Sequence, residues 1–429
     1  MNHVIGIGIL GLAVVGNATW WIIMVNRQHS RALPEWRLTA YRALHDAGVV
    51  LFPILILWKS GFGKTGLLTG GTFDQQPDWI RALLVLTMAG TIPFVLGILR
   101  WQLRRSPSAL VRQESRFIDV CRDAATDASR SEICGNRSRF LVAVPGNEIC
   151  RLEVNEKHID LAVATPRPLV RNRESGRSGT SAAESMSSLN IAHFSDMHLI
   201  GCPGRGYFDF VAERLCEMRP DVFLFSGDLL DDMATMSWAT DFFAKLSAVA
   251  PGFFVLGNHD WRQDHEAIRA AISQTGWVSL AGRLEHCLLG GTSVLLAGTE
   301  RPWMGSSPVV PSRSNESLRI LVSHSPDERD FAIQNDFDLM LAGHNHGGQI
   351  KLPVVGPVYS PSRHGVRYSC GIFEHRGMIF HVSRGVGSKD PVRWNCHPEI
   401  TLLRVTGFGP SHRARTTDRN SRMQTTKVK

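Results

Sequence analysis

The sequence has few cysteines, and none of them is spaced as a pair of metal ligands. No C-x-x-C pair occurs, and the eight cysteines are scattered along the chain at positions 121, 134, 150, 202, 216, 287, 370 and 396. This absence excludes a zinc ribbon as the basis of the fold. We expect free thiols, buried or partly buried, rather than a disulfide framework, and free thiols favour a reducing compartment.

Charged residues are also scarce, since they make up 20% of the chain, whereas hydrophobic residues make up 43%. This composition excludes a largely disordered protein. With 429 residues, the chain has room for two or three folded units. The formal net charge of +8 suits binding either to nucleic acid or to the cytoplasmic face of a membrane, and the positions of the basic residues must decide between them.

The first hundred residues contain long stretches that lack charge. The run 4–25 has no charged residue, is long enough to cross a bilayer, and is longer than the apolar part of a signal peptide. A second apolar run, 80–101, is charged only at Arg81 and Arg100. Between them, the apolar stretch 48–58 is short, and it spans a membrane only if its helix begins near Ala43 and includes Asp46. We predict three transmembrane helices within residues 1–102, with two helices as the alternative.

Two segments beside these helices are rich in arginine. After the first helix come Arg27, Arg31, Arg37 and Arg42, and after the last come Arg104, Arg105, Arg112 and Arg116. The intervening loop balances Lys59 and Lys64 with Asp74 and Asp78. Because cytoplasmic loops carry an excess of Lys and Arg, three helices place both arginine-rich segments in the cytoplasm, whereas two helices would separate them. We expect an integral protein of the inner (cytoplasmic) membrane, with the large domain that follows residue 102 on the cytoplasmic side.

Three further stretches follow the predicted membrane region. Residues 103–188 are predicted to be a juxtamembrane segment and linker, in which the alternation of 148–169 indicates one or two strands. The Ser-, Gly- and Arg-rich part, 171–188, indicates an exposed linker. Residues 189–406 have the pattern of a folded domain. Residues 407–429 are basic and poor in apolar residues, which predicts a disordered tail that rests on anionic lipid.

Residues 189–406 repeat one pattern, in which an apolar strand is followed by a polar cluster and a helix. The stretches "LNIAHFSDMH", "DVFLFSGDLLDD" and "FFVLGNHD" are each followed by a helical stretch, and later strands include "LRILVSH" and "DLMLAGHNH". Strands this apolar are buried on both faces, which predicts an α/β domain with layered β-sheets flanked by helices. Polar groups that follow such strands gather along one edge of the sheet, where ligands bind.

Residue types that bind metals follow five of these strands. They are Asp196 and His198; Asp228 with Asp231; Asn258, His259 and Asp260; His324; and His344 and His346. Any one of them has a structural explanation, such as an aspartate that caps a helix. Together, oxygen and imidazole ligands without cysteine suit Mn, Fe or Zn, and they are too many for one tetrahedral ion. We expect His344 and His346 to reach one ion each, and Gly347 and Gly348 to let the backbone approach an anion.

The order of these motifs is that of a known family. The motifs are D-x-H (196–198), G-D-x-x-D (227–231), G-N-H-D (257–260), S-H (323–324) and G-H-x-H (343–346). With them, residues 189–406 resemble the calcineurin-like metallophosphoesterases. The continuation "GHNHGGQIKLP", "VSRGVG" and "HPEI" resembles the YkuE/YaeI-like branch of bacterial phosphodiesterases, which are commonly tied to membranes. The predicted membrane helices and the basic tail depart from the shorter members of that branch.

The resemblance implies two metal sites that share one ligand. The ligands of the first are Asp196, His198 and His346, those of the second are Asn258, His324 and His344, and Asp228 bridges the two. The expected cofactors are two divalent metal ions, Mn in the first place, with Zn or Fe as alternatives. A metal-bound hydroxide would then attack the phosphorus atom of the substrate.

The resemblance implies roles for five other residues. His259 would be the catalytic residue beside the leaving oxygen, as a proton donor or as a stabiliser of charge. Asp231 and Asp260 would orient their neighbours. Arg384 and Arg393 would either contact the phosphate or serve the structure as ordinary cations.

The expected activity is hydrolysis of a phosphodiester or pyrophosphate bond at a membrane. Membrane lipids and a phosphoester are the expected partners, and the specific hypothesis is a lipid-linked substrate such as UDP-2,3-diacylglucosamine. One alternative is a nuclease or nucleotide phosphodiesterase, which the net charge favours, although the arginines gather at membrane junctions and lack interleaved aromatic residues. Another is a non-catalytic membrane scaffold on the same fold. The sequence indicates no oligomeric state.

Overall fold

The computed structural model describes residues 1–120, 134–164, 188–314 and 316–408. The chain divides into two compact units. The helical unit consists of residues 1–105 and 350–369, and the strand-rich unit consists of the other described residues. The predicted linker 171–188 and tail 407–429 lie outside the described residues, except for their terminal positions 188, 407 and 408.

Four α-helices form most of the helical unit. They are α1 (Asn2–His29), α2 (Glu35–Ile56), α3 (Asp78–Met88) and α4 (Thr91–Gln102). Three stretches, Asn2–His29, Glu35–Gly61 and Asp78–Gln102, are long and apolar enough to cross a membrane, which is the number of transmembrane helices predicted. That all three cross a membrane stays a prediction. The second begins at Glu35 and not near Ala43, because Pro34, which suits a helix start, directly precedes it.

Residues 350–369 also belong to the helical unit, although they lie far from its helices in sequence. This segment includes the short strands Lys351–Leu352 and Gly356–Pro357. The side chain of Gln102 donates a hydrogen bond to the Val354 carbonyl at 2.9 Å, and the Ser360 amide donates one to Asn26 Oδ1 at 3.3 Å. The segment is therefore anchored to the carboxyl-terminal ends of α1 and α4.

The described residues of the strand-rich unit form two mixed β-sheets. Its strands are β1 (Leu110–Asp119), β2 (Arg151–Asp160), β3 (Leu189–Phe194), β4 (Val222–Ser226), β5 (Gly252–Val255), β6 (Val278–Ser279), β7 (Leu284–Leu289), β8 (Thr292–Thr299), β9 (Leu318–Ser323), β10 (Leu339–Ala342), β11 (Gly371–His375), β12 (Met378–Val382) and β13 (Glu399–Thr406). The first sheet has the order β1-β2-β13-β3-β4-β5-β6, and the second has the order β11-β12-β10-β9-β8-β7.

In the part of the chain that the structure describes, six α-helices accompany these strands. They are α5 (Asn136–Val142), α6 (Leu161–Ala164), α7 (Arg205–Glu217), α8 (Met236–Ser247), α9 (His265–Gln274) and α10 (Arg329–Gln334). Helices α7, α8 and α9 follow β3, β4 and β5 in the chain, as the repeated pattern of strand, polar cluster and helix predicts.

Two apolar cores hold the layers together. One lies between the sheets, where Ile191 and Leu224 of the first sheet join a fully buried cluster with Ile320 and Leu341 of the second. The other lies between the first sheet and helices α7, α8 and α9, and its centre is aromatic, with the rings of Phe243 and Trp277 4.6 Å apart. This layering confirms the predicted α/β fold of sheets flanked by helices.

The juxtamembrane stretch contributes to the first sheet. Strands β1 and β2 pair antiparallel, and β2 then pairs parallel with β13, so that Glu153 lies opposite Glu399. Strand β2 lies where the alternating residues predict a strand. Strand β1 was not predicted, because its residues are mostly exposed and polar.

Some of the cysteines form disulfide bonds. Cys134 and Cys202 are bonded, with their Cα atoms 5.5 Å apart, and Cys150 is also disulfide-bonded. The expectation of free thiols is wrong for these three residues, whereas it agrees with four cysteines that are not disulfide-bonded: Cys216, Cys287, Cys370 and Cys396. Cys121 lies outside the described residues. The bonded pair is 68 residues apart, so its pairing depends on the fold and cannot be read from local spacing.

Candidate metal centre

The predicted ligands follow strands whose carboxyl ends meet at one edge of the two sheets. In the first sheet β3, β4 and β5 are parallel neighbours, and in the second β9, β10 and β12 are parallel neighbours. Loops that follow parallel strands emerge at the same edge. The topology therefore brings together side chains from residues 196 to 346.

The donor atoms form two groups that share one carboxylate. One consists of Asp196, His198, Asp228 and His346, the other consists of Asp228, His324 and His344, and in each the donor atoms lie within 4.8 Å of one another. The described residues contain a third group of this kind, His198, Asp231 and His259. The amide oxygen of Asn258 lies 3.1 Å from His324 Nε2 and so adjoins the second group. All seven predicted metal ligands are thus close together, with Asp228 between the two sets.

Pairs of imidazole nitrogens point towards the same space. His198 Nε2 and His346 Nε2 are 3.0 Å apart, and His324 Nε2 and His344 Nδ1 are 3.1 Å apart. Asp228 Oδ2 lies 3.5 Å from His198 Nε2 and 3.2 Å from His324 Nε2. Such convergence of nitrogen and carboxylate donors suits the coordination of divalent cations.

The backbone at five of the seven predicted ligands is left-handed. The φ angles are 51° at Asp196, 46° at His198, 58° at Asp228, 69° at His344 and 48° at His346. A non-glycine residue in this region carries a conformational cost, and such residues cluster at functional sites. The fold therefore maintains a strained backbone where the donors must converge.

Glycines beside the ligands make room for side chains. A Cβ atom at Gly343 would lie 2.3 Å from Asp196 Oδ2, so only glycine allows that carboxylate to approach. Gly347 has a φ of 64°, and a Cβ there would lie 2.6 Å from Cys396 Sγ. A side chain at position 347 would therefore collide with Cys396, and the expectation that Gly347 and Gly348 let the backbone approach an anion stays a prediction.

Asp231 holds two imidazole rings in place. Its Oδ2 lies 2.7 Å from His198 Nδ1, and its Oδ1 lies 2.5 Å from His259 Nδ1. Burial opposes the charge of this carboxylate, but the adjacent rings of His259 and His198 lower its pKa below the usual range. Each ring thus keeps its Nε2 away from Asp231, and for His198 this nitrogen faces the donor cluster.

Asp260 organises the backbone under the centre. Its carboxylate accepts hydrogen bonds from the amides of Leu229, Leu230 and Gly257 at 2.9 to 3.2 Å. Burial, and then the charge of Asp228, raises the pKa of Asp260 to about 7. The geometry agrees with the orienting role expected for Asp260.

The electrostatics of the centre favour bound cations. Burial raises the pKa of Asp196, and the adjacent charge of Asp228 adds to this effect. Burial lowers the pKa of His324, but the carboxylate of Asp228 outweighs it and raises that pKa to about 9. Buried carboxylates that face each other need a positive partner, and two divalent cations satisfy this need together with the imidazoles.

The two arginines that were predicted either to contact phosphate or to stabilise the structure form hydrogen bonds within the protein. Arg384 Nη2 donates to Glu399 Oε2 at 2.6 Å and to Glu153 Oε2 at 2.5 Å. Arg393 is fully buried and donates to the carbonyls of Gly387 and Arg384 at 2.6 and 2.7 Å. Both guanidinium groups therefore stabilise the structure, which was the alternative interpretation.

Two residues near the centre were not predicted from the sequence. Trp303 is buried and packs against His344 and His324, with ring centroids 4.9 and 5.5 Å apart. Lys389 lies with its Nζ 3.9 Å from Asp231 Oδ1. Neither belongs to a motif of ligands, and only the "VSRGVG" continuation of the resemblance points to the loop that carries Lys389.

Comparison with known proteins assigns a family model and several relatives. A model of the calcineurin-like phosphoesterase family matches residues 189–348. The chain is 31% identical to phosphodiesterase YaeI of Escherichia coli (strain K12) over 225 residues, which are 51% of this chain and 80% of that protein. It is 29% identical to the uncharacterized metallophosphoesterase YkuE of Bacillus subtilis (strain 168) over 224 residues, 50% of this chain and 78% of that protein.

The name of one vertebrate relative describes a transmembrane protein that has a metallophosphoesterase domain. The chain is 29% identical to a transmembrane protein with metallophosphoesterase domain from Bos taurus over 252 residues. The match covers 51% of this chain and 53% of that protein.

Proposed function

Because the chain belongs to the calcineurin-like metallophosphoesterases, we propose that it is a membrane-anchored phosphoesterase that uses two metal ions to hydrolyse a phosphodiester or pyrophosphate bond. The family predicted from the order of the motifs is confirmed, and with it the class of metal-dependent phosphoester hydrolases. The observation that carries the two-metal part of the proposal is the pair of donor groups that share Asp228.

The residues would hold the two cations as follows. Asp196, His198 and His346 hold one, Asn258, His324 and His344 hold the other, and Asp228 holds both. Two divalent cations, proposed to be Mn with Zn or Fe as alternatives, supply positive charge that polarises a phosphoryl oxygen and lowers the pKa of water. The protein contributes the strained backbone and the buried carboxylates that fix the donors before any ion arrives.

His259 is proposed as the proton donor to the leaving oxygen. Its Nδ1 is bonded to Asp231, which leaves Nε2 to face a substrate, and its side chain is 14% exposed, so a substrate can reach it. The same residue would stabilise negative charge on the leaving oxygen.

A lipid-linked substrate, such as UDP-2,3-diacylglucosamine, is the proposed substrate. Support comes from three helices apolar enough to span a membrane and from phosphodiesterase YaeI among the relatives. Hydrolysis of single-stranded DNA at a higher rate than of this substrate would favour the nuclease alternative.

The activity itself is tested with the full chain in detergent and bis(4-nitrophenyl) phosphate, with Mn, Zn or Fe added. Asp228→Asn should lower kcat/KM by more than about a hundredfold, because loss even of groups that only orient metal ligands costs 10- to 100-fold. Asp241→Asn, which changes an exposed carboxylate on α8, is the matched control and should keep full activity. An inactive wild-type chain with every metal, or an unaffected Asp228→Asn variant, would refute the proposal.

A further inference from the structure

The loop 384–393 lies directly against the loop that carries Asp196 and His198. The Val386 amide donates to the Ser195 carbonyl at 2.9 Å, and the Gly387 amide donates to the Asp196 carbonyl at 2.8 Å. A Cβ atom at Gly387 would lie 1.9 Å from the Met197 carbonyl oxygen, so this approach requires glycine. The backbone of the loop is therefore positioned by the same segment that positions the metal ligands.

The loop is also held from its other side. The Tyr207 hydroxyl donates to the Val386 carbonyl at 2.9 Å, and Arg393 donates to the Gly387 carbonyl at 2.6 Å. Residues 385–388 are buried, and Lys389 is the first exposed residue after them. The stem of Lys389 therefore starts from a fixed point beside the centre.

The ammonium of Lys389 turns towards the centre. Its Nζ lies 3.9 Å from Asp231 Oδ1, the oxygen that is also bonded to His259 Nδ1. The side chain of Lys389 is 45% exposed, whereas that of Asp231 is 7% exposed. Among the described residues, Asp231 is the only ion-pair partner of Lys389.

The ion pair between Lys389 and Asp231 contributes little to the stability of the protein. Both oxygens of Asp231 already accept closer hydrogen bonds from imidazoles, and a half-exposed pair at this distance contributes little to stability. An ammonium has three donors, and at 3.9 Å none of them is used by Asp231. Lys389 therefore presents unused donors at the rim of the centre, on the side of His259.

We propose that Lys389 forms an anion-binding subsite for a second phosphate group on the leaving-group side of the substrate. The inference rests on the proposed function, because that function places the reacting phosphoryl group at the donor cluster and the leaving oxygen at His259. A cation beyond His259 therefore contacts the part of the leaving group that lies next to the leaving oxygen. The substrate class is then a pyrophosphate diester, whether lipid-linked or free, rather than a simple phosphodiester.

The test uses the full chain in detergent with Mn and compares two substrates, UDP-glucose and bis(4-nitrophenyl) phosphate. In Lys389→Met, the ratio of kcat/KM for UDP-glucose to that for the simple diester should fall about tenfold, mostly through KM, which is the size expected for loss of one charge-assisted hydrogen bond. Lys389→Arg should retain most of the ratio, because it keeps the charge. Lys245→Met is the matched control, since Lys245 is 44% exposed and paired with Glu213.

A third substrate distinguishes the source of the phosphate. With UDP-2,3-diacylglucosamine, Lys389→Met should lose as much kcat/KM as with UDP-glucose if the subsite recognises the pyrophosphate. A loss confined to the diacylated substrate would overturn the proposal, because Lys389 would then sense the lipid. Equal losses for the simple diester and UDP-glucose would also overturn it.

A binding measurement separates this inference from the proposed function. Calorimetric titration with inorganic pyrophosphate should give a Kd about tenfold weaker for Lys389→Met than for the wild-type chain, at equal metal content by elemental analysis. If the wild-type chain hydrolyses no substrate, the proposed function fails, yet this difference still decides the role of Lys389. Identical pyrophosphate affinities would overturn the subsite.

Discussion

At the residue scale, the orientation of the imidazole rings determines what the centre can bind. His324 Nδ1 donates to the Ser226 carbonyl at 2.7 Å, so its Nε2 faces Asn258 and Asp228. His198 is fixed in the same sense by Asp231. A ring whose one nitrogen is bonded to an acceptor presents the other as a metal ligand with a defined tautomer. The hydrogen bonds behind the donors therefore prepare them for coordination.

The proton-donor role of His259 predicts a dependence on the leaving group. His259→Asn should lower kcat by about a hundredfold or more for a diester with an alkyl alcohol as leaving group, because an alkoxide needs a proton. The loss should be much smaller for 4-nitrophenolate, which departs without one. His265→Asn, on α9 and partly exposed, is the control. Equal losses with the two leaving groups would contradict the assignment.

The pKa of His324 predicts how metal affinity depends on pH. In the metal-free protein, burial lowers the pKa of His324, but the charge of Asp228 outweighs burial and raises this pKa to about 9. The ring is therefore protonated at neutral pH, and a cation must displace the proton. Affinity for Mn should therefore rise with pH and level off above about 9. Calorimetry in buffers of different ionisation enthalpy should record proton release at pH 7. An affinity that stays constant between pH 7 and 9 would refute this prediction.

At the scale of elements, parallel strands supply the site and a buried ion-pair network supports it. Arg384 bridges Glu399 on β13 and Glu153 on β2, and Asn155 Nδ2 donates to Glu399 Oε2 at 2.9 Å. The same arginine precedes the loop that carries Lys389. Strand β2, which precedes the recognised domain in sequence, thus helps to fix the carboxyl end of β12.

Removing the charge of Glu399 should destabilise the protein. Glu399→Gln leaves Arg384 and Lys157 without their shared buried partner and should lower the free energy of unfolding by about 3–5 kcal/mol. Burial opposes the charge of Glu399, but Arg384 lowers its pKa, so this stabilisation is present above the unfolded-state pKa and is lost as pH falls. Thermal unfolding should show a large loss at pH 7 and a smaller one in acid.

Glu217→Gln, an exposed partner of Arg214 on α7, is the control for Glu399→Gln. It should change the free energy of unfolding by less than about 1 kcal/mol. A stability of Glu399→Gln equal to that of this control would show that the network is not stabilising.

The sequence predicted those elements whose signal is local. Apolar strands that are followed by Asp196, Asp228 or His344 identify both the layers and the donors, because each motif lies directly after its strand. Strand β1 and the Cys134–Cys202 bond were not predicted, since an exposed strand and a pairing across 68 residues depend on tertiary contacts. The position of Lys389 beside the centre was not predicted, because it depends on tertiary contacts that hold the preceding residues 385–388 in place.

At the scale of the whole molecule, the arginine-rich segments and the disulfide support different faces of the membrane. The arginines favour a cytoplasmic strand-rich unit, and we propose that placement. The disulfide between Cys134 and Cys202 is typical of an oxidising compartment and supports the opposite face. In the cytoplasm, this disulfide must either resist cytosolic reductants or exist only transiently.

The cytoplasmic placement predicts the behaviour of reporter fusions. Alkaline phosphatase fused to the carboxyl terminus of the full chain should be inactive, because it needs an oxidising compartment to form its own disulfides, whereas a cytosolic fluorescent reporter at the same point should be active. A fusion to residue 68, in the loop before α3, should give the opposite result. An active phosphatase at the carboxyl terminus would place the strand-rich unit outside the cytoplasm.

The measurement that tests the central claim most directly is a metal analysis of the purified full chain combined with its crystal structure. The account predicts two divalent cations per chain, both bonded to Asp228, with His198 and His346 on one and His324 and His344 on the other. A chain that binds a single ion, or none, at saturating Mn, Zn or Fe would contradict it, as would ions bound away from these residues.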